Sequence, residues 1–168
     1  MTRPVAGREP GAGLVLEAAV VDAGVVARYR SKLVTVPGSS CTWWRGAVSG
    51  QGHGRFWVAG RQVVIAHRFA FALARGVQAL EQADVLGHRC DNPLCQRIHP
   101  DHVVVSSPAA NRREWAARRD LSGSPLTDPR GSSGRARALR DLLRRDPVLV
   151  AAELDRVRRH CGEQPTLW

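Results

Sequence analysis

The sequence of 168 residues has a single lysine, few aromatic residues and no hydrophobic run long enough to cross a membrane. Aromatic residues make up 5% of the chain, although two of its tryptophans stand together as Trp43 and Trp44. This length and composition allow one domain with a modest core, or a small domain with helical appendages. The apolar stretch 14–26 is interrupted by Glu17 and Asp22 and is too short to span a bilayer.

A secretory signal is also missing. No N-terminal segment combines a basic end, an apolar stretch and a small-residue cleavage site, so we expect a cytoplasmic protein with no membrane partner. In the cytosol, a pair of cysteines near histidines is more often a metal site than a disulfide. The chain has four cysteines: Cys41, Cys90, Cys95 and Cys161.

Positive charge is abundant and comes almost entirely from arginine, because Lys32 is the only lysine. A formal net charge of +10 and a pI near 11.2 point to a polyanionic partner such as double-stranded DNA. Guanidinium groups suit bidentate contacts to phosphate. A basic surface that is merely solvated, or the arginine bias of a GC-rich genome, would give a similar composition.

Hydrophobic patterning and turn residues predict an α+β fold with an antiparallel sheet. Strands are predicted at 33–36, 42–48, 54–58, 61–66, 85–88 and 103–105. Helices are predicted at 14–32 with a break at Gly24, at 67–75 closed by Gly76, and from Pro108 to Arg119 with Ser107 as the cap. Two short helices, at 135–145 and 147–160, each carry an apolar stripe beside an arginine-rich face.

These elements divide the chain into six parts. They are a disordered N-terminus (1–13), a helix with a lead-in strand (14–40), a central domain (41–119), a Ser-, Gly- and Pro-rich linker (120–134), an arginine-rich helical segment (135–160) and a tail (161–168). The arginine-rich segment is expected to grip flanking DNA or to form a homodimer, with a solvated face as the alternative.

The stretch between residues 87 and 102 contains a group of metal-ligand side chains. Four residues separate Cys90 from Cys95, and six residues separate Cys95 from His102. Thiolates with an imidazole suit a tetrahedral zinc site. His99 competes with His102 for the third position. Cys41 is the preferred fourth ligand, with Cys161 as its competitor. The alternative is that these are ordinary buried cysteines.

A second chemistry lies beside this group. His88, two residues before Cys90, ends a predicted strand and has the properties of a general base near neutral pH. Asn111, in the first turn of a predicted helix, can offer one amide oxygen to Mg²⁺, which keeps most of its waters. The alternatives are a solvent-facing or zinc-supporting histidine and an asparagine that only caps its helix.

The chain from about Arg28 to Arg119 resembles the zinc-binding branch of the HNH nucleases. These are also called ββα-metal or His-Me finger endonucleases, and they include the His-Cys box homing endonucleases and phage HNH nucleases. The resemblance rests on motifs in the same order: Cys41-Thr42-Trp43-Trp44-Arg45-Gly46, Gly52-His53-Gly54-Arg55-Phe56, Ala66-His67-Arg68, the stretch from His88 to Cys95, Pro100-Asp101-His102, and Asn111.

The resemblance implies a ββα-metal core stapled by one structural zinc. The zinc ligands are implied to be Cys41, Cys90, Cys95 and His102. His88 then activates water, Asn111 holds the catalytic Mg²⁺ and Arg55 contacts the cleaved phosphate, leaving a 5′-phosphate. Two features depart from the family. The gap of six residues between Cys95 and His102 is longer than usual, so His99 remains an alternative zinc ligand to His102. His53 stands where tyrosine is common.

The expected DNA-binding surface is arginine-rich. A two-stranded ribbon over 54–66 fits a major groove, and further arginines would follow the phosphate backbone. The expected contacts are Arg55, Arg61, Arg112, Arg113, Arg118 and Arg119. The last five residues, Gln164-Pro165-Thr166-Leu167-Trp168, resemble peptides that dock on bacterial sliding clamps, and a tail without such a partner is the alternative.

The sequence therefore predicts a Mg²⁺-dependent DNA endonuclease of homing or restriction type, encoded by a bacterium or a phage. The alternative from another class is a catalytically inactive, zinc-dependent DNA-binding protein. A third is an assembly protein whose zinc only folds the chain.

Overall fold

The computed structural model describes residues 11–59 and 62–162. Outside these ranges lie residues 1–10, Arg61 and residues 164–168, the peptide that resembles clamp-binding sequences. Among the described residues the fold is α+β, with small antiparallel sheets and seven α-helices. Within the same ranges, no helix is long and apolar enough to cross a membrane.

Two helices form the N-terminal part. The helix α1 spans Gly11–Val21 and α2 spans Ala23–Arg30, so residues 11–13 are helical although the sequence suggested disorder. The break predicted at Gly24 falls instead at Asp22, because its carboxylate accepts a hydrogen bond of 2.8 Å from the Val25 amide and caps α2.

The predicted strand 42–48 is split between two sheets. Strands β1 (Leu33–Thr35) and β2 (Thr42–Trp44) pair antiparallel, whereas β3 (Ala47–Val48) joins β4 (Gly54–Trp57) and β5 (Val63–Ile65). The chain bends between β2 and β3 because the indole of Trp44 folds back over Gly46. A Cβ on Gly46 would lie 2.5 Å from that ring, and the indole nitrogen donates to the Ala47 carbonyl at 2.9 Å.

The main core lies between α2, β4 and the helix α3 (Ala66–Arg75). Four buried aromatic rings meet there with centroids 4.8–5.9 Å apart: Tyr29, Trp44, Phe56 and Phe69. Most of α3 is buried, and the helix ends as predicted at Gly76, which has a positive φ of 90°. The helix α4 (Val77–Glu81) follows at once.

A strand–strand–helix unit follows. Strands β6 (Val85–His88) and β7 (Val103–Ser106) pair antiparallel, with His88 opposite Val103. The helix α5 (Pro108–Arg119) contacts β6, and its Ser107 cap accepts a hydrogen bond from the Ala110 amide, as predicted. The long loop between β6 and β7 has no regular helix or strand.

The C-terminal third packs against this core, although the sequence predicted a linker at 120–134 between them. The predicted linker contains a 3₁₀ turn (Pro125–Thr127), and α6 (Gly131–Arg145) begins four residues earlier than predicted. Gly52, with a φ of 92°, sits so close to α6 that a Cβ would lie 3.1 Å from the Ser132 carbonyl. The helix α7 (Pro147–Gly162) pairs with α6.

Candidate metal centre and active site

Three thiols and one imidazole converge beside β2. The ligand atoms of Cys41, Cys90, Cys95 and His102 all lie within 4.8 Å of one another. Nδ1 of His102 is 3.6 Å from the sulfur of Cys41 and 3.5 Å from that of Cys95. Bond lengths of about 2.3 Å to sulfur and 2.05 Å to nitrogen in a tetrahedral zinc site require about 3.6 Å between such atoms. The cluster could therefore hold a metal ion such as zinc.

The backbone places these ligands by adding the β6–β7 loop to β2. The Trp44 amide donates to the Leu94 carbonyl at 3.0 Å, and the Gln96 amide donates to the Thr42 carbonyl at 2.8 Å. Cys95 thus lies opposite Trp43 in a bridge between the two segments. One ligand comes from the entry to β2 and three come from the loop, so a bound ion would join the two parts.

The three thiols interact strongly with one another. A hydrogen bond from Cys90 lowers the pKa of Cys41, and hydrogen bonds to Cys41 raise the pKa values of Cys90 and Cys95. Thiolates so close together repel one another unless a positive ion lies between them.

The competing ligand His99 lies outside the cluster. The His99 ring is exposed and its Nδ1 is 3.4 Å from the Asp101 carboxylate, whereas His102 is buried in the cluster. The side chain of Cys161 lies outside the described part of the chain. Cys41, chosen over it from sequence, lies in the cluster.

His88 and Asn111 line one pocket of about 310 Å³ between β6, α5 and the C-terminal segment. The carboxamide oxygen of Asn111 lies over Gly87, where a Cβ would be only 2.7 Å from it. Nε2 of His88 is 3.2 Å from the Cys95 carbonyl. A carbonyl only accepts, so this nitrogen carries the proton and Nδ1 keeps a lone pair. Burial lowers the pKa of His88 to about 4, and His53 acts in the same direction.

Two further histidines surround His88, and the sequence did not single them out as site residues. Ring centroids are 4.6 Å apart for His67 and His88, and 5.6 Å for His53 and His88. Burial lowers the pKa values of both His53 and His67. Gly87 was missed as well, although a glycine inside a strand often marks the close approach of another group.

Arg118, which was predicted to bind DNA, instead forms an ion pair within the protein. Its Nε donates to both carboxylate oxygens of Asp91, at 2.9 and 3.0 Å, and it also contacts Glu114. Asp91 adopts a positive φ of 51°. Its carbonyl accepts a 2.9 Å hydrogen bond from Arg135 of α6, while the buried Nε of Arg135 has no partner in the described part of the chain. Arg135 lines the His88 pocket.

Arg55 does not line that pocket. It faces a separate cleft of about 800 Å³, whose other basic side chains are Arg28, Lys32, Arg45 and Arg144. The proposed contact between Arg55 and a phosphate held at His88 is therefore not supported by this arrangement. Three other predicted DNA contacts are exposed along α5: Arg112, Arg113 and Arg119.

The chain is similar in sequence to a known phage protein. The chain is 32% identical over 88 residues to Protein 7.7 of Escherichia phage T7, a match that covers 52% of this chain and 64% of that protein. The match thus spans less than two thirds of the relative's length. No family model matches the chain, and no solved structure matches it significantly.

Proposed function

We propose that this chain is a Mg²⁺-dependent endonuclease that hydrolyses DNA phosphodiester bonds on a zinc-stapled ββα-metal core. The observation that carries the proposal is the shared pocket of His88, at the end of β6, and Asn111, in the first turn of α5. The antiparallel pair β6–β7 followed by α5 has the order of elements that the resemblance implies. The phage relative supports a phage origin.

The four-ligand cluster is proposed to hold structural zinc. Its three sulfurs and one nitrogen are the donor set that zinc prefers, and the two sulfur–nitrogen separations fit a tetrahedral ion. Zinc there would fix the loop whose Cys95 carbonyl accepts the hydrogen bond from His88.

Magnesium is proposed to bind at Asn111. A hard cation that keeps most of its waters needs few protein oxygens, and the Asn111 carboxamide oxygen is held at one wall of the pocket above Gly87. When bound, the ion would stabilise the negative charge of the leaving 3′-oxygen.

The residues of the chain supply the other steps. Nε2 of His88 is fixed by the Cys95 carbonyl, so its Nδ1 takes the proton from the attacking water. We assign the phosphate contact to Arg135 and no longer to Arg55, because Arg135 lines the same pocket and its buried Nε has no partner there. A guanidinium suits the charge of a phosphate.

The DNA backbone is proposed to lie across the exposed arginines of α5 and the basic cleft that contains Arg55. Not every cation of that cleft is free, because Arg28 donates to the carbonyls of Trp57 and Val58 at 2.9 and 3.0 Å. Each phosphate contact adds about −0.9 to the slope of log affinity against log salt.

The test is cleavage of supercoiled plasmid by purified protein, with Mg²⁺ present or omitted. We expect cleavage by the wild type only with Mg²⁺, and a loss of at least about 100-fold in His88→Ala and Asn111→Ala. His99→Ala is the matched control, since His99 is exposed and lies outside both the cluster and the pocket.

Other outcomes separate the alternatives. A wild type that shifts DNA in a gel but never cleaves it would favour the zinc-dependent binding protein. Cleavage that survives His88→Ala would refute the proposed mechanism.

A further inference from the structure

Three imidazoles meet at the wall of the candidate active site. His53 precedes β4, His67 lies in the first turn of α3, and His88 ends β6. One ring nitrogen from each lies within 4.8 Å of the others. The centroids of His53 and His67 are 5.2 Å apart and their planes are nearly perpendicular. Three separate elements therefore bring imidazoles to one point.

Two of these rings have a nitrogen without a hydrogen-bond partner among the described residues. His88 is bonded through Nε2 to the Cys95 carbonyl, and the nearby backbone of Pro93 acts to raise the pKa of His53 against the effect of burial. The Nδ1 atoms of His53 and His67 are buried and have no partner among the described residues. His67 is only 5% exposed. Buried polar atoms without a partner are rare and call for an explanation.

This pattern is typical of metal-ligating histidines. Such a histidine usually donates its second ring N–H to a backbone carbonyl or a carboxylate, which fixes the ring and leaves the first nitrogen for the metal. His88 is fixed in this way by the Cys95 carbonyl, and Pro93 of the same loop lies near the His53 ring. An ion would also provide the missing partner for the buried Nδ1 of His67.

We propose that His53, His67 and His88 form a second metal site that binds a divalent transition ion with a preference for imidazole, such as zinc, cobalt, nickel or copper. Three imidazoles with an open fourth position are an established zinc environment. A tetrahedral ion with bonds of about 2.05 Å needs its nitrogens about 3.3 Å apart, so the rings would draw together by at most about 1.5 Å on binding.

Occupancy of this site would block the proposed nuclease. Nδ1 of His88 would be bound to the ion and could no longer take a proton from water. This consequence rests on the proposed function, whereas metal binding itself does not. We therefore expect excess zinc to inhibit cleavage even when Mg²⁺ is saturating.

The decisive experiment is calorimetric titration of Zn²⁺ into the full chain already holding one zinc, with elemental analysis of the product. We expect the wild type to take up a second equivalent. His53→Phe, which keeps a ring but removes both nitrogens, should weaken that step by about 100-fold or more. His67→Phe should do the same, and His99→Ala should behave like the wild type.

A wild type that stops at one equivalent, or a second step that persists in both phenylalanine variants, would overturn the proposed site. Cobalt loading gives an independent check, since an ion bound only by nitrogen and water lacks the thiolate charge-transfer bands of the cysteine cluster. Cleavage with and without added Zn²⁺ is then compared within each variant. Because uptake is measured without DNA, failure of the nuclease proposal leaves the result intact.

Discussion

Gly87→Ala tests whether the position of Asn111 controls activity. The added Cβ would lie 2.7 Å from the Asn111 carboxamide oxygen, while ordinary contacts begin at 3.4 Å. The carboxamide must therefore move by about 0.7 Å. Displacements of about 1 Å in an active site can cost about 100-fold in rate. We expect kcat to fall by about 10- to 100-fold in Gly87→Ala.

The fold should survive this substitution. Alanine lowers the conformational freedom of the unfolded chain, which offsets part of the contact, so we expect the free energy of unfolding to change by no more than about 1 kcal/mol. Gly50→Ala is the matched control, because nothing lies within 4 Å of its Cβ position and its φ is not positive. Single-turnover plasmid cleavage and thermal melting measure the two effects.

A double-mutant cycle with Asn111→Ala separates this contact from a general distortion of β6. In the Asn111→Ala background the clash is absent, so Gly87→Ala should no longer lower the melting temperature. Wild-type kcat in Gly87→Ala, or an undiminished effect on melting in the double mutant, would refute the reasoning.

Three further predictions concern stability. Arg118→Ala breaks the pair with Asp91 and should lower the free energy of unfolding, measured by denaturant titration, by about 2 kcal/mol. The control Arg112→Ala removes an exposed arginine and should change that free energy by less than about 0.5 kcal/mol. Equal effects of the two substitutions would contradict the structural role of Arg118. Leu139→Ala, at a site 1% exposed, should cost about 2–5 kcal/mol with one cooperative transition, and a separate second transition would mean that α6 and α7 fold independently. Stripping the metal with a strong chelator should abolish the near-ultraviolet circular dichroism of the tryptophans, and Cys161→Ser should retain both the metal and the signal.

The local parts of the fold were predictable from sequence. Ser107 and Pro108 define the start of α5, and the close spacing of Cys90 and Cys95 indicated a metal cluster. Cys41 could be chosen only because it lies at the entry to a strand, since its distance from Cys95 depends on the pairing of β2 with the loop. The resemblance, and not the spacing, favoured His102 over His99.

The errors came from contacts between distant residues. Ser132 and its neighbours have the composition of a linker, but α6 is fixed there by packing against Gly52 and by Arg130, which bonds both Asp128 and Glu153. Propensity is a weak guide where such packing exists.

The high arginine content also did not show which arginines bind DNA. An arginine count does not distinguish a side chain that binds phosphate from one that binds Asp91, as Arg118 does. In the same way, nothing local to His53 or His67 signals that both meet His88.

Asp91 links the cysteine cluster to the docking of two helices. Its left-handed backbone presents a carboxylate to Arg118 and a carbonyl to Arg135 from the residue next to Cys90. Two helices distant in sequence, α5 and α6, contact this short turn, and an ion at the proposed zinc site would hold the turn in place. We therefore expect refolding of the C-terminal third to become faster as zinc is added, so that metal supply sets the pace of assembly.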